Sequence, residues 1–280
     1  MTSGFVLITG SSRGLGRSMA LALARRGFSV LAGVRQRQDG EDLMAAAGGA
    51  LTPVILDVAS GESLAMARTE VERLTTSHGL AGLVNNAGIA SFGPLEQTPI
   101  DVVDRVLRVN VSGVVATIQC FLPLLRQATG RIVNISSING RLSFPFTSIY
   151  SASKFALEAL SDSLRVELAP WGIRVVVVEP GATRTDIRDL AVRAWAAGRA
   201  SLAPDQRALY ETPFTKLTQL IAHLDSTAAD HAAVVEAVYD GLTSDVPRAR
   251  YLVGEDTVQL MQLATLPDAE RDAALLGMIS

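Results

Sequence analysis

Cysteine is almost missing from these 280 residues. Cys120 stands alone, so an intrachain disulfide is impossible and a cysteine-ligated zinc site is excluded. Histidine is nearly as scarce: His78, His223 and His231 show no metal-ligand spacing, read as surface residues, and give no reason to expect a metal. Charge of one sign is lacking as well. The chain has 25 basic and 28 acidic residues and a formal charge of −3, so no global field favours nucleic acid or an anionic membrane. Long apolar runs are missing too, since stretches such as Val175 to Val178 fall far short of the ~18 residues that span a bilayer. The opening Met1-Thr2-Ser3-Gly4-Phe5 has no basic region and enters a strand-like stretch, unlike a signal peptide. These absences predict a cytoplasmic chain with no nucleic-acid partner and no membrane span. With no repeat, low-complexity tract or dividing linker, residues 1–280 are expected to form one domain.

What is present alternates short apolar runs with longer amphipathic ones. Strands are expected at Phe5–Thr9, Ser29–Val34, Leu51–Asp57, Leu80–Asn85, Arg131–Ser136, Ile173–Glu179 and Arg250–Val253. Helical spacing marks Leu15–Arg26, Glu62–Ser77, Asp101–Gln127 and Ser148–Leu168. Continuous apolar strands alternating with helices imply a parallel sheet covered on both faces, and right-handed crossovers make it a doubly wound α/β sheet of Rossmann type. Residues 184–225, after the sixth strand, break the pattern: they are helix-prone, mixed in polarity and interrupted by Gly198, Pro204 and Pro213. Ligands bind outside the carboxyl ends of such strands, so this insertion is a candidate helical substrate lid; a surface hairpin covering core is the alternative. Cys120 lies mid-helix beside Ile118, Phe121 and Leu122, where a buried small side chain is expected.

Three patterns carry chemistry. Thr9-Gly10-Ser11-Ser12-Arg13-Gly14-Leu15-Gly16 joins a strand to a helix, and its glycines let the backbone turn tightly and approach a pyrophosphate resting on helix N–H groups. Gly10, Ser12, Gly14, Leu15 and Gly16 are therefore candidate cofactor contacts, although a structural turn would look similar. No Gly-Lys-Ser/Thr follows, which disfavours a nucleoside triphosphatase. The second strand then ends Ala32-Gly33-Val34-Arg35, without the carboxylate that would hold an NAD ribose. Arg35, with Arg13 on the other side, offers forked cations to the 2′-phosphate of NADP.

The third pattern is Tyr150-x-x-x-Lys154, which four tyrosines and two lysines in 280 residues would give by chance in roughly 3% of such chains. On a helix these two share a face, so the ammonium sits near the phenol and favours its phenolate. Ser137 ends the preceding strand, where its hydroxyl would hold a substrate oxygen; a capping serine and an ordinary exposed lysine are the bland alternative.

Together with Asn85-Asn86-Ala87-Gly88 and Pro180-Gly181, in this order and spacing, the motifs resemble the short-chain dehydrogenases/reductases of the single-domain Tyr-x-x-x-Lys type. The resemblance runs from about Phe5 to Thr185. It implies Tyr150 as proton donor or acceptor, Lys154 on the nicotinamide ribose, Ser137 on the substrate oxygen, and Asn110 holding a water in a proton relay. It implies adenine contacts at Asp57 and Val58, a segment beside the adenosine ribose at Asn86, Ala87 and Gly88, and a carboxamide-holding loop at Pro180, Gly181 and Thr183. The expected activity is a NADP(H)-dependent alcohol/carbonyl oxidoreductase.

The chain looks like members acting on hydroxysteroids, retinoids and other bulky apolar alcohols, with Leu142, Phe144, Phe146, Ile149, Ile187, Leu190 and Trp195 as candidate pocket walls. Arg141 is read as solvated, with a substrate carboxylate as its alternative partner. The long helices resemble those through which the family forms homodimers and homotetramers. Two rivals stand beside this reading. One is a NADP-binding regulator without turnover; the other is a sugar-nucleotide epimerase or dehydratase, whose longer chains and Gly-x-x-Gly-x-x-Gly turns are lacking.

Overall fold

The computed structural model describes residues 4–48, 50–76, 78–183, 186–199, 202–226 and 230–279. Its first half runs β1 (Phe5–Ile8), α1 (Gly14–Arg25), β2 (Ser29–Val34), α2 (Arg37–Ala47), β3 (Leu51–Ile55), α3 (Gly61–Thr75) and β4 (Gly82–Asn85). Then come α4 (Ile100–Leu107), a π-helical turn (Arg108–Ser112), α5 (Gly113–Ala128), β5 (Arg131–Ile135), α6 (Ser148–Glu167) and β6 (Arg174–Pro180). The last part holds α7 (Asp186–Arg199), α8 (Pro204–Ala208), α9 (Glu211–Ser226), α10 (His231–Thr243), β7 (Arg250–Val253), α11 (Glu255–Leu263) and α12 (Asp268–Gly277).

All seven strands are parallel, in the order β3-β2-β1-β4-β5-β6-β7. The expected doubly wound sheet is therefore present. Alternation along each strand divides the core into two layers: Val6 and Ile8 of β1 join Met19, Leu23, Leu43 and Val234 on one face. Leu7 points the other way and joins Leu64, Val71, Phe121 and Leu157. Because β1 pairs with both β2 and β4, the sheet reverses direction there, opening a crevice at the carboxyl ends of β1 and β4.

Several expectations need correction. The helix α2 lacks a strong apolar stripe and was not anticipated, nor were the crossover helix α10 and the terminal α11 and α12. The expected helix end at Ser77 lies outside the described residues. Helices α4 and α5 run continuously through the π turn, so Ile100–Ala128 passes a length and hydropathy test for membrane crossing, with 29 residues and a mean hydropathy of 1.4 in its best window. Counting consecutive apolar residues missed it because charged side chains interrupt the run. Val106 is buried, and Val114, Ile118, Phe121, Leu124 and Leu125 pack into the core of this domain. Cys120 is only half-buried, though burial still pushes its thiol up. His231 is half-buried and hydrogen-bonded to Ser18 at 2.7 Å, joining α10 to α1. His78 is exposed as expected, and the side chain of His223 lies outside those described.

Beneath the crevice a polar ladder crosses the apolar core. Asn85 donates to Asn134 Oδ1 at 2.8 Å, Asn134 donates to Ser161 Oγ at 2.8 Å, and Ser161 donates to the Leu157 carbonyl. All three side chains are buried, so each needs its partner. The ladder fixes β4, β5 and α6 in one register. Asn134→Ala strands the groups on either side and is expected to lower unfolding free energy by about 2–4 kcal/mol. Urea unfolding checks this, and a loss near zero would show that the ladder does not carry the register.

Candidate active site

The glycine-rich turn between β1 and α1 is held from below by Thr9 and Asn86. The Thr9 hydroxyl accepts the N–H groups of Asn86 and Ala87, both at 3.0 Å, and the Asn86 amide donates to the Thr9 and Gly10 carbonyls at 2.9 and 3.0 Å. Asn86 thus braces the turn from within. Glycine is required here by close approach: a Cβ on Gly16 would lie 2.1 Å from the Gly10 carbonyl oxygen, and one on Gly10 2.9 Å from Ala87 Cα. Gly14, with φ +55°, has open space where its Cβ would be. A tight turn with a bare outer surface at a helix start fits a pyrophosphate. Ser12 and Leu15 are half-buried, Arg13 and Arg35 are exposed, and no acid ends β2.

Asp57 is half-buried after β3, where its carboxylate accepts the Ala59 N–H at 2.9 Å, and Val58 is buried. Gly88 closes the opposite wall, since a Cβ there would sit 3.4 Å from Asn110 Oδ1 and 3.9 Å from Lys154 Nζ. Asn110 is carried inward by the wider π turn. Its amide donates to the Ile89 carbonyl and to Ser153 Oγ, and its oxygen accepts the Ile89 N–H at 2.9 Å. Both amide hydrogens are thereby engaged in pinning the loop after β4 to α6.

Ser137 and Lys154 meet around the end of β5. The Lys154 ammonium is buried, donates to the Ile135 carbonyl at 2.8 Å, and lies 5.8 Å from the centre of the Tyr150 ring. Burial pulls it down to about 8, while the Glu158 carboxylate pushes in the opposite direction. Ser137 Oγ accepts the Asn139 N–H at 3.2 Å, and the Asn139 amide donates to Thr147 and Ser151, each at 3.1 Å. Asn139 therefore ties the serine turn to the first turn of the tyrosine helix. Sequence reasoning passed over it, because a single asparagine two residues past a serine carries no spacing signal. The chain enters α6 through Phe146, whose φ of +64° is unusual for a bulky residue. Its carbonyl accepts the Gly93 N–H at 2.8 Å, and Thr147 adds a bond to the Phe144 carbonyl at 2.8 Å.

Beyond the crevice stand α7, α8 and α9. The insertion expected at 184–225 is three helices, with residues 184–185 and 200–201 outside the described set. Trp195, Phe214 and Leu217 form a small core of their own against Phe146, and a Cβ on Gly93 would collide with Trp195. Phe146 meets this small core through Phe214, edge to face with ring centres 6.3 Å apart. Leu142 is fully buried, Phe144, Ile149 and Ile187 are half-buried, and Leu190 is exposed. A cleft of about 410 Å³ between this layer and the turn before α6 is lined by Gly93, Leu95, Glu96, Phe146, Ser148 and Tyr210. A second, of about 500 Å³, lies among α7, α8 and α9, and the lining of neither cleft includes Ser137, Tyr150, Lys154 or Asn110. Arg141 is not simply solvated: it pairs with Glu179, a carboxylate 1% exposed, at 3.3 Å.

On the carboxyl side, Pro180 and Thr183 are buried and Gly181 is half-buried, its N–H bonded to the Val253 carbonyl at 2.8 Å. β7 thus supports the loop after β6. A parallel sheet with a glycine turn at its switch point and a buried lysine one helical turn from a tyrosine defines a dinucleotide-dependent oxidoreductase. Residues 4–194 match the family model described as short chain dehydrogenase, and the chain belongs to that family, whose members bind a nicotinamide cofactor and act on alcohol and ketone groups. Human retinol dehydrogenase 5 is 40% identical, over 99% of this chain and 89% of its own. Bovine 17-beta-hydroxysteroid dehydrogenase type 6 is 38% identical, over 97% and 87%. A crystal structure of a short-chain dehydrogenase from Streptomyces avermitilis superposes with TM-score 0.79 at 29% identity, covering 99% of this chain and 95% of that one.

The buried ammonium carries a stability cost. The folded-state value of about 8 lies below the ordinary 10.5, so the unfolded chain holds the proton more tightly. The cost is full below about pH 8 and fades as pH rises toward 10.5. Lys154→Met is therefore expected to raise unfolding free energy at pH 7 by about 1–3 kcal/mol, with a smaller gain at pH 10. Urea unfolding at both pH values measures it; a variant less stable at pH 7 contradicts the account.

Proposed function

We propose that this chain is an NADP(H)-dependent oxidoreductase interconverting a secondary alcohol and its ketone on a bulky apolar substrate. The observation that carries the reading is the buried Lys154 one turn from Tyr150, beside the Ser137 turn. When bound, the nicotinamide supplies or accepts the hydride. Ser137 donates a hydrogen bond to the substrate oxygen and orients it. Tyr150 gives that oxygen its proton in reduction and takes it back in oxidation. The Lys154 ammonium favours the phenolate form of Tyr150 and binds the ribose hydroxyls. Asn110 holds the loop after β4 against α6, and Thr183 with Pro180 and Gly181 forms the nicotinamide side of the cleft.

Arg13 and Arg35, both exposed at the adenosine end where an acid is lacking, support NADP over NAD. The exposed Arg37 at the start of α2 adds a third cation beside them. The apolar Phe146 and Leu95 lining the cleft of about 410 Å³, and the similarity to dehydrogenases named for retinol and hydroxysteroid, support a bulky apolar substrate. The layer α7–α9 acts as the substrate lid. Phe155, Val166 and Leu107, exposed on α6 and α4, support a homo-oligomer formed through these helices; sedimentation as a monomer at micromolar concentration would remove that part of the proposal.

The decisive test is NADPH and NADH oxidation over steroid, retinoid, aliphatic and small hydroxy-acid-derived ketones and aldehydes. Tyr150→Phe is expected to lower kcat by about 10²–10⁴ without weakening NADPH binding. Arg35→Asp should lower kcat/KM for NADPH by roughly 10–100-fold and leave NADH unaffected, as expected for loss of one charge-assisted contact. Tight NADPH binding with no turnover on any substrate would favour the regulator instead. Preference for NADH would overturn the roles of Arg13 and Arg35.

A further inference from the structure

The turn that carries Ser137 is tied to β6 at both of its ends. It leaves the sheet at Ser136, whose N–H donates to the Val178 carbonyl at 2.8 Å. A short 3-10 helix follows (Ile138–Gly140), with Ser137 capping its start. Arg141 closes it, its N–H on the Ile138 carbonyl at 2.9 Å. From there the Arg141 guanidinium reaches back to β6 and donates to Glu179 Oε1 at 3.3 Å. Glu179 stands directly between Val178 and Pro180, where the loop read as the nicotinamide side of the crevice begins.

The pair is uneven. Arg141 keeps 38% of its side chain exposed and has water available, whereas Glu179 is buried and needs a cation close by. Arg250 supplies part of that need. It lies 3.4 Å from Glu179, but it also meets Glu158 at 3.0 Å and Asp162 at 2.7 Å. Asp162 is paired a second time, with Arg165 at 2.8 Å. Three guanidinium groups thus face three carboxylates in one chain of ion pairs running from α6 through β7 to β6, and Arg141 is the member that joins the serine turn to it. On its other side the turn lies against α6. Asn139 bonds Thr147 and Ser151 there, and a Cβ on Gly140 would be 3.0 Å from Glu158 Cγ.

We propose that Arg141 is a positioning residue for the reaction: anchored on the buried Glu179, it fixes the Ser137 hydroxyl relative to the end of β6 and so aligns the substrate oxygen with the nicotinamide side of the crevice. It acts through the serine turn and touches neither substrate nor cofactor. The inference rests on the reading of Ser137 as the group that orients the substrate oxygen. Alignment of this kind is sensitive to small displacements, because a shift of about 1 Å in a supporting group costs up to about 10²-fold in rate.

Arg141→Met keeps the apolar stem and removes the cation, leaving Glu179 with Arg250. For the steroid, retinoid or aliphatic ketone that the wild type reduces fastest, kcat and kcat/KM should fall together by about tenfold. NADPH should still bind with wild-type Kd and full stoichiometry. Arg141→Lys returns a cation to the same place and should recover part of the loss. Glu179→Gln should cost as much as Arg141→Met, and the double variant no more than either. An unchanged kcat in Arg141→Met overturns the inference, as does a loss that only follows a smaller NADPH-binding fraction, which is what a merely structural role would give. Losses that multiply in the double variant also overturn it, since an arginine acting on the substrate directly would behave that way. If the Glu179 variant fails to fold, the methionine and lysine variants decide on rate and NADPH stoichiometry. A wild type that binds NADPH and reduces no ketone overturns the oxidoreductase reading itself, and this inference with it.

Discussion

A single buried ammonium sets the terms for the rest of this site. Placing Lys154 inside the protein is unfavourable, and the surrounding structure is arranged to make it tolerable: the Ile135 carbonyl accepts its hydrogen bond, and the Glu158 carboxylate pushes its pKa back up against burial. Because a partly satisfied buried charge is costly, the elements that deliver those groups must hold their places. β5 brings the carbonyl and α6 brings both the lysine and the glutamate. The Asn85–Asn134–Ser161 ladder then fixes β5 and α6 against each other. Stability is given up at this point in the fold, which is common where a group is tuned for chemistry.

The second constraint is close approach at the switch point. Thr9 and Asn86 join the loop after β1 to the loop after β4 through four hydrogen bonds, so the two sides of the crevice form one rigid edge. Gly10 and Gly16 allow that contact because no side chain could fit. The asparagine that the motif offers as a neighbour of the cofactor thus spends its amide on the protein itself. Asn110 does much the same on the other wall. Polar residues of the motif are in this sense scaffold as much as contact surface.

Much of this was legible in advance because it is local. Continuous apolar runs such as Val6–Ile8 and Val175–Val178, bounded by turn residues, mark buried strands, and a glycine turn followed by an amphipathic helix identifies the first crossover. The four-residue spacing of Tyr150 and Lys154 needs only helical geometry to bring them to one face. The helix α2 was not legible, since its alanines and charges make a weak stripe. The pairing of Arg141 with Glu179 was equally hidden, because 38 positions separate them and nothing in either neighbourhood marks the other.

The sequence by itself determined the sheet, the order of its motifs and the identity of the residues around the crevice, since each depends on patterns spanning a few residues. Only the tertiary structure decided which of those residues are free to meet a ligand and which are engaged. Asn86 and Asn110 turned out to be braces, Trp195 part of a small core with Phe214 and Leu217, and Arg141 a partner of a buried acid. It also decided that Arg250 of β7 reaches back to the tyrosine helix and pairs there with Glu158 and Asp162. The physical reason is the same in each case. Burial and ion pairing depend on what arrives from distant strands, and no local pattern encodes the neighbour across a parallel sheet.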